Sequence, residues 1–139
     1  MEVLKVIAGG VLACAMSMSA NATVIIDETT GWSGNFGWVD GLGPIDEING
    51  SSSDTDWSIS VTTDSIMSLA TAFDAFVVGD EFALVLDNVV INWTSTVTDA
   101  SGYFHGIYSD LFLSAGNHTL SLEVTKSAPG FTYGGAYAE

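Results

Sequence analysis

Positive charge is scarce in this sequence. Its 139 residues include 17 Asp and Glu but only 2 Lys and Arg, and the formal net charge is −15. Both cations are lysines, Lys5 and Lys126, and arginine is absent. Nucleic-acid binding and attachment to anionic membrane surfaces both depend on clustered Lys and Arg, and phosphate clamps depend on Arg. The composition therefore excludes a nucleic-acid-binding protein, a protein held on anionic membranes by basic residues, and an arginine clamp for phosphate.

Cysteine is almost absent as well. Cys14 is the single cysteine, so the chain can form neither an internal disulfide nor a cysteine-based zinc site. A hydrophobic content of 47% with 11% aromatic residues excludes a disordered chain despite the charge. The length is that of one domain.

The first 22 residues have the pattern of a cleaved secretory signal. One lysine precedes an apolar run from Val6 to Ala15, which is too short to span a bilayer, and the small-x-small pattern Ala20-Asn21-Ala22 follows. The alternative is a lipoprotein anchored through Cys14, because Val11-Leu12-Ala13-Cys14 is similar to a lipobox. Removal of residues 1–22 leaves a single domain, 23–139, with no transmembrane segment. We predict a secreted, extracellular protein.

The rest of the chain reads as short strands. Trp57, Ile59 and Val61 alternate with polar residues, as do His118, Leu120, Leu122 and Val124. Asp87-Asn88 lies where a tight hairpin turn is expected, and the glycines of residues 31–43 predict a loop. The segment 66–73 suits a short helix or a strand, and its neighbours favour a strand. About eight strands in this rhythm predict an all-β antiparallel β-sandwich of the jelly-roll type.

One block of sequence resembles a known family. Asp74-Ala-Phe-x-x-Gly-Asp80-x-Phe82, with Asp87-Asn-Val and the later Leu113-x-Ala-Gly-x-His118-x-Leu120, is similar to motifs of small secreted proteins of Gram-negative bacteria, many of which carry a PEP-CTERM sorting signal. The resemblance covers about residues 74–139 and implies a secreted β-sandwich without a known enzymatic activity. No Pro-Glu-Pro signal follows these motifs in the sequence.

Aspartates in the loops and turns are the candidate metal ligands. Asp54 and Asp56 lie in a serine-rich loop, and Asp80 and Asp87 flank one hairpin. Calcium prefers several oxygen ligands of this kind, so we expect these residues to be its ligands if the domain holds structural calcium. The alternative is that the carboxylates cap turns in water. Because Gly79-Asp80 precedes a strand, the favoured interpretation for Asp80 is that it accepts backbone N–H bonds in an Asx-turn.

Aromatic residues are the candidate ligand contacts. Trp32 and Trp38 stand in the glycine-rich loop, and Tyr103 and Tyr108 lie in an aromatic segment. Exposed rings on a β-sandwich can stack on sugars, with carboxylates and amides binding the hydroxyl groups. The alternative is that these rings pack internally, as we expect for Trp57 and Trp93.

Three functions remain open from the sequence. The first is a non-enzymatic module that binds extracellular glycan or matrix, with possible calcium as the only cofactor. The second is a self-associating structural protein of the matrix or cell surface, pairing through exposed edge strands such as the last one. The third is a hydrolase with paired carboxylates, a weak hypothesis because any acidic chain offers such pairs.

His118 is expected in the core or hydrogen-bonded.

Overall fold

A computed structural model describes residues 23–39, 41–45 and 56–139. These residues form eleven strands and no helix. The strands are β1 (Val24–Ile25), β2 (Gly34–Trp38), β3 (Gly43–Pro44), β4 (Asp56–Val61), β5 (Ser65–Ala75), β6 (Glu81–Leu86), β7 (Val89–Ile91), β8 (Ser95–Thr98), β9 (Phe104–Leu113), β10 (Gly116–Lys126) and β11 (Gly134–Ala138). Within these described ranges there is consequently no helix long and apolar enough to cross a membrane.

The strands form two sheets that pack face to face. The β10 sheet has the order β1-β4-β10-β6-β7, with β3 also paired to β10. The β5 sheet has the order β2-β11-β5-β9-β8. Their pairings are nested, since β2 pairs with β11, β4 with β10, β5 with β9 and β6 with β7. This nesting is that of one long hairpin rolled into a two-sheet sandwich, so the predicted jelly roll of eight strands is confirmed, with β1, β3 and β8 added at its margins.

Strand periodicity builds the core. Successive side chains of a strand point to opposite faces, and the buried positions of β4 (Trp57, Ile59, Val61) and β10 (His118, Leu120, Leu122, Val124) follow that period. The facing sheet supplies Phe36, Trp38 and small residues such as Ala72 and Ala136. Because alanines occupy little space, large rings from the neighbouring segments fill the space between the sheets.

Two local predictions are confirmed and two are wrong. The segment 66–73 lies within β5, and Asp87-Asn88 forms the hairpin turn with φ of 49° and 65°, as a type I′ turn requires. The glycine-rich stretch 31–43, expected to be a loop, contains β2, because Phe36 and Trp38 are needed in the core. The last strand is not an edge, because β11 lies between β2 and β5.

Candidate ligand-binding face

The two outer faces of the sandwich differ in chemistry. On the β10 sheet, the outward positions of β6 carry Ala83 and Val85, and those of β4 and β10 carry small polar or charged side chains: Ser58, Ser60, Thr119, Ser121 and Glu123. This is the usual pattern for a sheet with one face in water. On the β5 sheet, the corresponding positions carry aromatic rings.

A row of stacked rings crosses three strands of the β5 sheet. Phe73 of β5 is directly opposite His105 of β9 on one side and Tyr137 of β11 on the other. Its neighbours in sequence, Ala72 and Asp74, are buried, so the ring of Phe73 points outward. The ring centroids of Phe73 and His105 are 5.5 Å apart at 12°, and those of Phe73 and Tyr137 are 5.2 Å apart at 24°.

Phe76 extends this row beyond the sheet. Its ring centroid lies 5.9 Å from that of Tyr137, and 68% of the residue is exposed. The backbone of Phe76 has φ of 69°, a conformation that non-glycine residues rarely adopt. The ring also lies close over Gly135, where a Cβ atom would approach it to 3.4 Å. We call Phe73, Phe76, His105 and Tyr137 the aromatic row.

A buried carboxylate holds the turn that carries Phe76. Asp74, only 3% exposed, accepts hydrogen bonds through Oδ2 from the backbone N–H of Gly79 at 2.9 Å and of Asp80 at 3.2 Å. Burial raises the pKa of the Asp74 carboxyl, and the same amides oppose that rise. The motif Asp-Ala-Phe-x-x-Gly-Asp thus fixes a turn and places an aromatic ring at the end of the row.

Asp80 ties this turn to the next loop. It is 1% exposed, and its Oδ1 accepts a hydrogen bond from the backbone N–H of Ala128 at 2.7 Å. Burial, followed by the nearby Asp74 carboxylate, raises the pKa of Asp80. Ala128 precedes the segment leading into β11, so the bond also helps to position Tyr137. Asp80 thus accepts a backbone N–H, but not in the expected local Asx-turn, because the donor, Ala128, lies 48 positions further along the chain.

Polar groups stand at both ends of the row. At the β9 end, Asp99 Oδ2 lies 3.2 Å from Nε2 of His105, and its Oδ1 accepts from the amides of Ser101 and Tyr103. The bond from Tyr103 is the largest cause that lowers the pKa of Asp99. At the β2 end, exposed Asn35 lies directly opposite Tyr137. A carboxylate, an imidazole and an amide therefore surround the rings.

The structure does not bring the four predicted contact rings together. Trp38 is 1% exposed and packs on Phe82, so its prediction as a surface contact is wrong: the ring fills the core. Tyr108 packs against the core, opposite buried Ala70. Trp32 is half-buried against Trp57, with centroids 5.1 Å apart. Tyr103 is linked to the end of the aromatic row through its backbone N–H, which donates to Asp99 at 3.1 Å.

The predicted metal ligands are also dispersed. Asp54 lies outside the described residues, and Asp56 begins β4. Asp80 and Asp87 flank opposite ends of β6, about 20 Å apart for six residues of extended strand. They therefore cannot belong to one calcium site. Among residues 23–39, 41–45 and 56–139, no group of three His, Cys, Asp or Glu could hold a metal ion.

Asp87 instead pairs with His118, which is confirmed as a hydrogen-bonded core residue. The Nδ1 of His118 lies 2.7 Å from Asp87 Oδ2, and its Nε2 lies 2.7 Å from the carbonyl oxygen of Ser114. Both partners only accept hydrogen bonds, so the protonated imidazole satisfies both contacts whereas a neutral one satisfies one. The bond to Ser114, then that to Asp87, raises the pKa of His118.

The rings of the aromatic row were missed because sequence alone does not reveal cross-strand neighbours. A weak signal exists in the residues two positions away, which share a face of the strand with the ring: Thr71 and Ala75 for Phe73, and Gly135 and Glu139 for Tyr137. Neither ring has a bulky apolar neighbour on its own face of its strand. The register that aligns Phe73, His105 and Tyr137 depends on the distant pairing of β5, β9 and β11.

Comparisons with known proteins provide no family for this chain. No protein-family model, no curated protein and no solved structure matches it.

Proposed function

We propose that this protein is a secreted, non-enzymatic jelly-roll module that binds an extracellular glycan with the outer face of the β5 sheet. The observation that carries the proposal is the aromatic row, which lies on an outward face where a water-exposed sheet normally carries polar side chains. The rings of Phe76 and Tyr137 provide apolar surface for the C–H face of a sugar. Asn35, His105 and Asp99 provide hydrogen-bonding groups for its hydroxyls.

The surroundings of the row support binding rather than hydrolysis. A glycosidase needs a carboxyl group of raised pKa as its acid. The described carboxyl groups with raised pKa, Asp74 and Asp80, are buried and occupied by backbone amides. The carboxyl beside the row, Asp99, has a lowered pKa because amides donate to it. The net charge of −15 further favours a neutral glycan over an anionic one.

Retention on immobilised polysaccharides tests this function. We expect the protein to be retarded in gels containing a neutral polysaccharide, and Phe76→Ala and Tyr137→Ala to lose most of that retardation. Tyr133→Ala is the matched control, because Tyr133 is 62% exposed and makes no ring contact with the aromatic row. Unfolding curves establish that each variant is folded. Equal retention of all variants, or no retention on any neutral polysaccharide, would contradict the proposal.

A self-associating structural protein is the second candidate function. The edge strand β7 exposes Val89 to 62% and Val90 to 54%, and its described pairing is with β6 alone. An exposed, apolar edge of this kind favours pairing between chains. Size-exclusion chromatography over a range of protein concentrations separates the two functions. A concentration-dependent oligomer that Val90→Lys abolishes supports assembly, and a strict monomer at high concentration contradicts it.

A further inference from the structure

Three loops meet at one end of the sandwich: residues 76–80 between β5 and β6, residues 99–103 between β8 and β9, and residues 127–133 between β10 and β11. The first and third are joined by the hydrogen bond from Ala128 to Asp80, and a Cβ atom on Gly79 would lie 3.2 Å from Cα of Ala128. The first and second are in contact at Val78, because a Cβ atom on Gly102 would lie 2.9 Å from its Cγ1. The three loops therefore form one continuous surface, which we call the loop tip.

The loop tip exposes large apolar side chains to water. Six of them are between 38% and 68% exposed: Phe76, Val77 and Val78 on the first loop, Phe131 and Tyr133 on the third, and Leu42 on the segment beside it. That segment is held to the third loop by a hydrogen bond of 2.7 Å from the N–H of Gly41 to the carbonyl oxygen of Thr132. Neighbouring apolar side chains that folding leaves exposed in this way are typical of an interaction site.

Charge is nearly absent from the loop tip, although the whole chain has a net charge of −15. Its three loops contain neither Lys nor Arg, and their charged residues are Asp80 and Asp99. Asp80 is buried on the amide of Ala128, and Asp99 accepts hydrogen bonds from two amides of its own loop. At the base of the tip, Glu81 forms an ion pair of 2.7 Å with Lys126. The exposed surface of the tip is therefore suited to an apolar partner.

From the clustered loops, their exposed apolar side chains and their lack of charge, we infer that the loop tip inserts into the surface of a lipid bilayer that has no net charge. Burial of these side chains among acyl chains is favourable in proportion to their apolar area. Tyr133 belongs to a residue type that is enriched at the boundary between headgroups and acyl chains. The side chains belong to loops, so they offer no strand edge to a partner polypeptide. An anionic bilayer is a poor partner, because the net charge of −15 is repelled by it.

Flotation of the full chain with phosphatidylcholine vesicles tests the inference. We expect the protein to float with the vesicles, and the double substitution Phe131→Ser and Tyr133→Ser to lower its partition coefficient by roughly tenfold or more, because two rings no longer enter the bilayer. The matched control is Phe112→Ser, since Phe112 is 57% exposed but lies near the other end of β9. Residues 1–22 are common to all variants, so a difference between variants reports the loop tip. Added phosphatidylserine should weaken binding, and salt should reverse that weakening.

A nitroxide-labelled lipid in phosphatidylcholine bicelles locates the contact. We expect the amide signals of residues 76–79 and 130–133 to broaden, while those of residues 87–89, at the far end of β6, stay sharp. No flotation of the wild type, equal flotation of the loop-tip variant, or broadening centred elsewhere would overturn the inference. Loop-tip signals that broaden with protein concentration before lipid is added would make a second copy the partner and overturn the lipid assignment.

The outcome for lipid is separate from that for glycan. Tyr133→Ala should lose vesicle binding and keep glycan retention, because Tyr133 lies on the loop tip and makes no ring contact with the aromatic row. Tyr137→Ala should lose glycan retention and keep vesicle binding, because Tyr137 lies within β11. Phe76 belongs to both surfaces, so its substitution is not used to distinguish them.

Discussion

The two outer faces of this sandwich are built from strands of the same kind and yet carry different chemistry. On the β10 sheet, the outward side chains of β4 and β10, such as Ser58, Thr119 and Ser121, are polar. On the β5 sheet, Phe73, His105 and Tyr137 stack across three strands. Cross-strand ring pairs stabilise a sheet, but exposed Phe76 adds apolar surface that folding does not bury. This difference is the basis for proposing the outer face of the β5 sheet as the ligand-binding face.

The largest effect is expected from breaking the turn that carries Phe76. Asp74→Ala leaves the buried amides of Gly79 and Asp80 without their acceptor, which we expect to destabilise the protein by about 1–3 kcal/mol. The matched control is Asp27→Ala, because Asp27 accepts from two exposed amides. At that position water can accept the hydrogen bonds in place of the carboxylate, so we expect a loss of stability of less than about 0.5 kcal/mol. Urea unfolding measures both, and equal losses would contradict the role given to burial.

Removing the central ring of the row should affect binding more than folding. Phe73→Thr keeps a β-branched residue in the strand but removes both ring stacks, which we expect to cost about 1–3 kcal/mol of stability. Glycan retention should fall by roughly tenfold or more, because the rings of His105 and Tyr137 lose their common neighbour. Ser121→Thr, on the other outer face, should change neither quantity. Retention that survives Phe73→Thr would exclude the aromatic row as the binding surface.

Each sheet carries one histidine, and the inner one, His118, should make stability depend on pH. The folded-state pKa of His118 is raised by Ser114 and Asp87. The folded protein therefore holds this proton more tightly than the unfolded chain does. The resulting stabilisation is complete below the unfolded pKa of about 6.5 and is lost as pH rises through the folded pKa.

Thermal unfolding of the wild type and of His118→Gln between weakly acidic and alkaline pH measures this contribution. We expect the difference in melting temperature between the two proteins to shrink as pH rises. Ser121→Thr, on the outer face of the same sheet, is the control and should follow the wild type at every pH. A His118→Gln difference that is the same at all pH values would contradict the protonated contact.

The smallest effect is expected from calcium. Asp80 and Asp87 lie at opposite ends of β6 and already accept backbone and imidazole hydrogen bonds, so they cannot share one calcium ion. We expect no calcium-specific rise in melting temperature that depends on Asp87, compared with magnesium at equal ionic strength. A rise that Asp87→Asn removes would contradict this. A calcium site at Asp54 and Asp56 remains a prediction, because Asp54 lies outside the described residues.

Sequence periodicity was sufficient to predict the fold class but not the proposed binding face. Alternation in β4 and β10 predicts which side chains are buried, because that pattern is local. The aromatic row depends on the register between distant strands, which no local pattern reports. Trp38 is a second case in which a contact between distant strands is invisible in the local sequence. Its glycine neighbours predicted a loop, but Gly134 of β11 leaves room for its ring in the core. A Cβ atom at position 134 would lie 2.4 Å from Cζ2 of Trp38.

Chemical-shift mapping of the isotope-labelled protein with a neutral oligosaccharide tests the central claim most directly. The account predicts that the shifts change first at Phe73, Phe76, His105 and Tyr137, together with Asn35 and Asp99, while Ser58, Thr119 and Ser121 on the other outer face stay unchanged. Chemical-shift changes centred on the β10 sheet would contradict this claim. No change with any oligosaccharide taken from a polysaccharide that retards the protein in gels would contradict it as well.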